Sequence, residues 1–178
     1  AKFSASDFWS DVKKYNVNKF IYVGELCRYL MNLPISESDK DNPITQISGN
    51  GLRPDIWESF QKRFNINKIV EIYGATEAVG MTVNTFGRSG MIGRKRSDST
   101  IIHCKKEDGS PILNDQGFCT KVSEGETGLY IQKISSSAKF QGYLDSQASN
   151  KKVLQNVFKT GDQYFNTGDL ITLHDNNW

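Results

Sequence analysis

Lys68-Ile69-Val70-Glu71-Ile72-Tyr73-Gly74-Ala75-Thr76-Glu77 is the stretch whose reading decides the fold. Lys68 to Tyr73 is short, apolar and β-branched, which predicts a buried strand, and the small residues after it predict an abrupt exit into a loop. Immediately upstream, Pro54 opens a helix that carries Ile56, Trp57, Phe60 and Phe64 on one stripe, the spacing of a helix packed on a sheet. Before that come a strand at Ile44 to Ser48 and a Gly49-Asn50-Gly51 loop. Further upstream, Lys19 to Val23 reads as another short strand, Gly24 as punctuation, and Glu25 to Met31 as a helix stopped by Pro34. Strand, helix, strand, helix, strand at this spacing predicts a parallel sheet in an α/β fold, with ligands beyond the carboxyl ends of the strands. Both glycine loops leave from such ends.

An additional helix is predicted over Asp7 to Tyr15, behind Ser6 as N-cap, and a polar linker over Ser36 to Asn42. From about Gly87 the pattern changes to alternating runs, Thr100 to Cys104 and Gly128 to Gln132, set apart by Asp108-Gly109 and Glu124-Gly125 turn signals. The chain therefore divides into an α/β sheet segment, 1–86, and a mainly β subdomain, 87–178. Within the latter, Leu154, Val157 and Phe158 predict a short helix somewhere in 145–158, ahead of a last strand from Asp169 to Leu173.

Ten Phe, seven Tyr and three Trp in 178 residues suffice for a core. Lys plus Arg number 22 against 20 Asp plus Glu, a net charge of +2, which does not give the basic footprint of a nucleic-acid binder. Cys27, Cys104 and Cys119 are odd in number and far apart, and neither His103 nor His174 stands near them, so neither a disulfide framework nor a zinc site is indicated. The longest apolar stretch, Phe20 to Leu33, is broken by Glu25, Arg28 and Asn32 and does not read as a spanning helix. The chain starts Ala1-Lys2-Phe3 without an initiator methionine and stops at Trp178, so an internal segment is expected.

Two stretches carry chemistry. Tyr73 to Glu77 offers an aromatic face for a base, small residues that let main chain approach a ligand, a hydroxyl for a phosphate oxygen and a hard oxygen ligand for Mg²⁺. Tyr164-Phe165-Asn166-Thr167-Gly168-Asp169 places a carboxylate just after a glycine turn, where it can accept both hydroxyls of a ribose. Taken singly, each reads at least as readily as an ordinary turn, with Asp169 as a capping residue. The two histidines read as surface or strand residues, Cys27 as a small buried hydrophobe, and the cluster Arg88, Arg94, Lys95, Arg96, Lys105 and Lys106 as a solvated face.

Read together, Gly49 to Pro54, Tyr73 to Glu77 and Tyr164 to Asp169 resemble, in order, motifs of the adenylate-forming superfamily. Gly24 to Leu30, Gly49 to Trp57 and Phe140-Gln141-Gly142-Tyr143-Leu144 resemble its fungal fatty acid transport protein and very-long-chain acyl-CoA synthetase branch. The resemblance implies part of the large N-terminal domain of an ATP-dependent fatty acid–CoA ligase, which forms acyl-AMP and then acyl-CoA. It implies ATP/AMP, Mg²⁺ and coenzyme A as ligands. By position, Asn50, Gly51 and Leu52 would line the adenine, with Tyr73 on its face and Gly74 and Ala75 beside it. Thr76 would meet the α-phosphate, Glu77 would bind magnesium, and Asp169 would hold the ribose, with Val23 and Gly24 near the acyl tunnel.

The superfamily more often reads Gly-Gly-Ala-Pro at the first loop and Leu at Ala75, and many animal members carry Gly-Asn after the motif glutamate where this chain has Ala78-Val79-Gly80. Neither the phosphate loop with its lysine nor the C-terminal lid with its catalytic lysine is present, so the 178 residues alone are expected to be inactive. Membrane association is expected through parts of the parent not present here, at the endoplasmic reticulum, lipid droplet, peroxisome or plasma membrane, with the site facing the cytosol. A fatty acid transport or binding component with a vestigial adenylation site stands as the alternative. No nucleic-acid partner is expected, and a kinase-like or dinucleotide fold is disfavoured, since neither G-x-G-x-x-G after a strand nor G-x-x-x-x-G-K-[ST] occurs.

Overall fold

A computed structural model describes residues 3–74, 80–135 and 152–178. The chain forms two compact units, Ala1–Tyr73 with Val83–Gly93, and Gly74–Thr82 with Arg94–Trp178.

The first unit is α/β. Helix α1 (Ala5–Lys14) precedes strand β1 (Lys19–Val23), helix α2 (Gly24–Met31), strand β2 (Gln46–Asn50), helix α3 (Pro54–Arg63) and strand β3 (Lys68–Tyr73). Strand β4 (Thr82–Asn84) completes a sheet of order β1-β2-β3-β4. β1, β2 and β3 run parallel, with Lys19 opposite Gln46 and Gln46 opposite Lys68, so their carboxyl ends lie side by side. The predicted stripe on α3 is core: Trp57, Phe60 and Phe64 are buried with Ile47, Ile69, Leu30 and Cys27. Trp9 of α1 stacks on Phe64 at 4.4 Å between ring centroids. Both α1 and α3 are followed by an asparagine in the left-handed region, Asn16 (φ 50°) and Asn65 (φ 51°), where that residue tolerates the turn that ends a helix.

Arg63 holds this unit together at one edge. Its guanidinium donates to Asp39 at 2.7 Å and to the main-chain carbonyls of Met31, Leu33 and Pro34, and so satisfies the C-terminal end of α2. On β1, Ile21 and Val23 stay exposed.

The second unit contains β5 (Ser99–Ile102), β6 (Thr127–Lys133), β7 (Val153–Gln155) and β8 (Gln163–Thr172) in an antiparallel sheet of order β5-β6-β8-β7. Ile102, Cys119, Leu129, Ile131 and Val157 form its core. The Asp108-Gly109 and Glu124-Gly125 signals are turns in which each glycine has positive φ, 69° and 87°.

Five sequence expectations need correction. β2 runs through Asn50, paired with β1 at Gly49 and Asn50, so only Gly51 of the expected Gly49-Asn50-Gly51 loop lies beyond the strand. Helix α1 starts at Ala5, with Ser4 rather than Ser6 at its N-cap. Gly24 is the first residue of α2, not a break before it. Val153–Gln155 is a strand where a helix was expected, because it pairs antiparallel with Gln163–Phe165 of β8, and just after it Asp162 takes the main-chain N–H groups of Val157, Phe158 and Lys159; residues 145–151 lie outside the described ones. β8 begins at Gln163, so Asp169 lies within a strand and not at its start.

Candidate functional site

The site builds from the carboxyl ends of β1, β2 and β3. β2 ends at Asn50, and the chain turns through Gly51 (φ 75°) into the first turn of α3. Two glycines make room for this turn. A Cβ at Gly24 would overlap the carbonyl of Gly51 and stand 3.1 Å from the nitrogen of Leu52, so the start of α2 packs directly on the turn's main chain. A Cβ at Gly49 would overlap the Tyr22 carbonyl and stand 2.7 Å from Cγ of the Tyr22 ring.

Beneath the turn lies Glu71 of β3, 4% exposed and opposite Gly49 in the register. Its Oε1 accepts the N–H of Gly51, the N–H of Leu52 also reaches its carboxylate, and its Oε2 accepts the phenol of Tyr22 from β1. Among the described residues it has no cationic partner. Burial pushes its pKa above the ordinary carboxylate value, while the bonds from Tyr22, Gly51 and Leu52 oppose that shift. Burial, then the bond to Glu71, raises the Tyr22 phenol far out of its usual range. Burial, then the charge of Glu71, pushes the Cys27 thiol up to about 12.

Sequence reading passed over Glu71. The signal was present, since a lone carboxylate inside an apolar run of a parallel strand must find donors or distort its surroundings. Its partners, 20 and 49 residues away along the chain, were not legible.

Of the predicted site residues, Asn50, Gly51, Leu52, Val23, Gly24 and Tyr73 share the carboxyl ends of adjacent parallel strands in the first unit. Asn50 is exposed and its carboxamide has no hydrogen-bond partner among the described residues. Leu52 differs in kind: its side chain is in the core at 5% exposure, so only its main chain is available to line a ligand. Val23 is exposed, and Gly24 is pressed against the turn. Tyr73 is half-buried at the end of β3, followed by exposed Gly74. Ala75, Thr76 and Glu77 lie outside the described residues, as does Phe140 to Leu144.

Asp169 belongs to the second unit. It sits in an irregularity of β8 where Leu170 pairs with Leu129 and Asn166 with Ile131, leaving Thr167, Gly168 and Asp169 opposite Tyr130 alone. Thr167 pins this bulge by donating to the carbonyl of Tyr130 at 2.7 Å and accepting the N–H of Asp169 at 3.1 Å. Gly168 has φ 82°, and the Asp169 side chain is presented at the surface. A cavity of about 300 Å³ in the same unit, lined by Lys95, Asp98, Lys121, Lys133 and Tyr164, contains none of the predicted site residues.

An unpartnered carboxamide beside a glycine turn is the donor and acceptor pair that a purine edge requires. No group of three or more His, Cys, Asp or Glu among the described residues is placed to hold a metal ion. No helix among them is long and apolar enough to cross a membrane.

Comparison with known proteins shows what the chain is similar to. Human long-chain fatty acid transport protein 6 is 43% identical over 184 residues, covering 99% of this chain and 30% of its own length. The medium/long-chain fatty acid–CoA ligase FadD6 of Mycobacterium tuberculosis is 36% identical over 170 residues, covering 96% of this chain and 28% of its own length. The chain thus spans less than a third of these relatives. Among solved structures, ATP-bound MatB from Rhodopseudomonas palustris superposes with a TM-score of 0.69 over 99% of this chain and 32% of its own, at 14% identity, which shows a shared fold. The AMP-binding enzyme family matches residues 1–128, and the chain belongs to that family.

Proposed function

We propose that this chain is the adenine-binding part of a fatty acid–CoA ligase that activates its substrate as an acyl-adenylate. The observation that carries this reading is the Asn50-Gly51-Leu52 turn, fixed from below by Glu71 and from the side by Gly24, with an unpartnered carboxamide at the carboxyl ends of three parallel strands. Asn50 would meet the edge of the base, and Tyr73 would cover its face. Asp169 would hold the ribose hydroxyls; the Thr167 bulge sets its side chain outward. Thr76 and Glu77 would meet the α-phosphate and Mg²⁺. Magnesium offsets phosphate charge when bound, and coenzyme A supplies the thiol that displaces AMP.

A fatty acid is the proposed substrate because the relatives' names join fatty acid transport with fatty acid–CoA ligation. The fungal, very-long-chain placement is also part of the proposal and rests on the sequence motifs, as does attachment to a membrane through other parts of the protein. The test is pyrophosphate release by the complete polypeptide with ATP, Mg²⁺, coenzyme A and saturated fatty acids of graded length. Release with at least one acid and loss in Asp169→Ala supports the reading; no release with any acid refutes it. The transport names of several relatives favour a second reading, a carrier whose adenylation is dispensable. Fatty acid uptake that survives Thr76→Ala while synthesis is lost would favour it.

A further inference from the structure

We propose that Ser97 is a phosphorylation site for a protein kinase that reads basic residues, and that the attached phosphate is held by the lysines of the adjoining cavity, Lys95, Lys121 and Lys133.

Two independent observations carry it, and the first is accessibility with the right charge pattern. Arg94-Lys95-Arg96-Ser97 places cations one, two and three residues ahead of a hydroxyl, which complements a kinase cleft lined by carboxylates. The segment lies outside helices and strands, since β5 begins only at Ser99, and Arg94, Arg96 and Ser97 are exposed. The contacts it must release are weak ones. Arg96 pairs with Asp98 at 2.6 Å, but the two side chains are 43% and 32% exposed, and the Arg94 guanidinium lies 5.7 Å from the centre of the Trp178 ring. Ser99 is no rival, because it is buried and its Oγ accepts the N–H of Arg96 and donates to the Arg96 carbonyl.

The second observation is a place for the phosphate. Ser97 lines the cavity of about 300 Å³ together with Lys95, Lys121 and Lys133. The N–H of Lys133 donates to the carbonyl of Asp98 at 2.7 Å, so Lys133 stands across from the residue next to Ser97. The Lys121 ammonium lies 5.2 Å from the centre of the Phe158 ring, which is another wall of the same cavity. Asp98 is the one carboxylate in this lining, and it is already paired with Arg96. Three lysines therefore face a cavity without a matching anion, and a phosphoserine supplies about −1.5 to −2 of charge at pH 7. In the transfer, Ser97 Oγ bonds to the γ-phosphorus of ATP as the bond from that phosphorus to the bridging oxygen breaks. ADP leaves, and the hydroxyl proton passes to the kinase's catalytic carboxylate.

The test uses the complete polypeptide as wild type, Ser97→Ala, Arg94→Ala and the double variant Lys121→Ala/Lys133→Ala. All four altered residues are exposed, so each variant should fold. Each is incubated with ATP, Mg²⁺ and the catalytic subunit of cyclic-AMP-dependent protein kinase; peptide mass mapping locates the phosphate, and phosphorus NMR follows its titration. Wild type should carry phosphate on Ser97, Ser97→Ala should carry none at that position, and Arg94→Ala should be labelled about tenfold more slowly. The second pKa of the phosphate should lie near about 5 in wild type, below the ordinary value of about 6, because adjacent cations favour the dianion. In the double lysine variant it should return towards about 6. Labelling of a basic control peptide but not of Ser97 in the folded protein overturns the proposal, as does labelling indifferent to Arg94. A phosphate that titrates alike in wild type and the double lysine variant overturns it too.

Discussion

Gly24→Ala is the smallest change that forces the start of α2 against the Gly51 turn. The added carbon would overlap the carbonyl of Gly51 and lie 3.1 Å from the nitrogen of Leu52, and all of these neighbours are main chain. They can retreat only if the turn lifts from Glu71, which breaks the hydrogen bond from the Gly51 N–H. Overpacking of this kind costs about 1–3 kcal/mol, offset by at most about 1 kcal/mol from the better helix propensity of alanine. The net loss of about 1–2 kcal/mol corresponds to a fall of about 2–8 °C in Tm for a chain of this size. The assay is thermal unfolding of wild type and Gly24→Ala, paired with calorimetric titration of AMP, where affinity should drop about tenfold as the turn shifts. Gly117→Ala serves as the control, since Gly117 has φ 83° and nothing within 4 Å, so that variant carries strain without collision. A Gly24→Ala protein that melts and binds AMP like wild type would refute the packing argument; one that is destabilised but binds normally would refute its link to the site.

Arg63→Ala should cost about 3–5 kcal/mol, because it leaves the Asp39 carboxylate, 11% exposed, without its cation and frees three carbonyls; a urea midpoint close to wild type would contradict this. Asp162→Ala removes the acceptor for three main-chain N–H groups and should cost about 2 kcal/mol or more, read as a lower Tm, with Asp162→Asn between it and wild type. Glu71 holds its proton to higher pH in the folded chain than in the unfolded one, so its contribution to stability is fully present at low pH and falls as pH rises from 4.5 through the raised value. Urea midpoints of wild type minus Glu71→Gln should therefore decline over that window, and a difference that grows with pH would be the wrong sign. Cys27, buried and shifted to about 12, should resist iodoacetamide in the native state while half-exposed Cys104 is labelled first, as peptide mass mapping will show.

Much of the first unit was legible because its signals are local. The β-branched runs at Lys19–Val23 and Lys68–Tyr73 and the apolar stripe on Pro54–Arg63 specify strand, strand and helix without help from the rest of the chain. The misreadings arose where a side chain captures main-chain groups or where a distant strand decides. Leu154, Val157 and Phe158 have helical spacing, yet the carboxylate of Asp162 holds the N–H groups of 157–159 and Asn156 turns left-handed at φ 55°. Gly168 looked like a turn before a strand; its positive φ instead serves a bulge opposite Tyr130, a pairing that depends on a strand some forty residues upstream. In the candidate site, the turn at Gly51 was readable from the glycines, although Gly49 and Asn50 belong to β2 rather than to a loop. That Leu52 sends its side chain into the core, and that Glu71 holds the loop from below, follow from packing across three strands.

The hydrogen bond at Gly51 also bears on how the protein ages. Asn-Gly is the sequence most prone to lose ammonia, through attack of the glycine nitrogen on the asparagine side chain to form a succinimide. Here the N–H of that nitrogen is engaged by Glu71. The folded chain is thereby protected, while each excursion that opens the turn exposes the pair to conversion into aspartate and isoaspartate. Damage would accumulate as a negative charge where the base is proposed to bind, so loss of nucleotide affinity in stored protein should track the one-dalton mass gain on the peptide carrying Asn50.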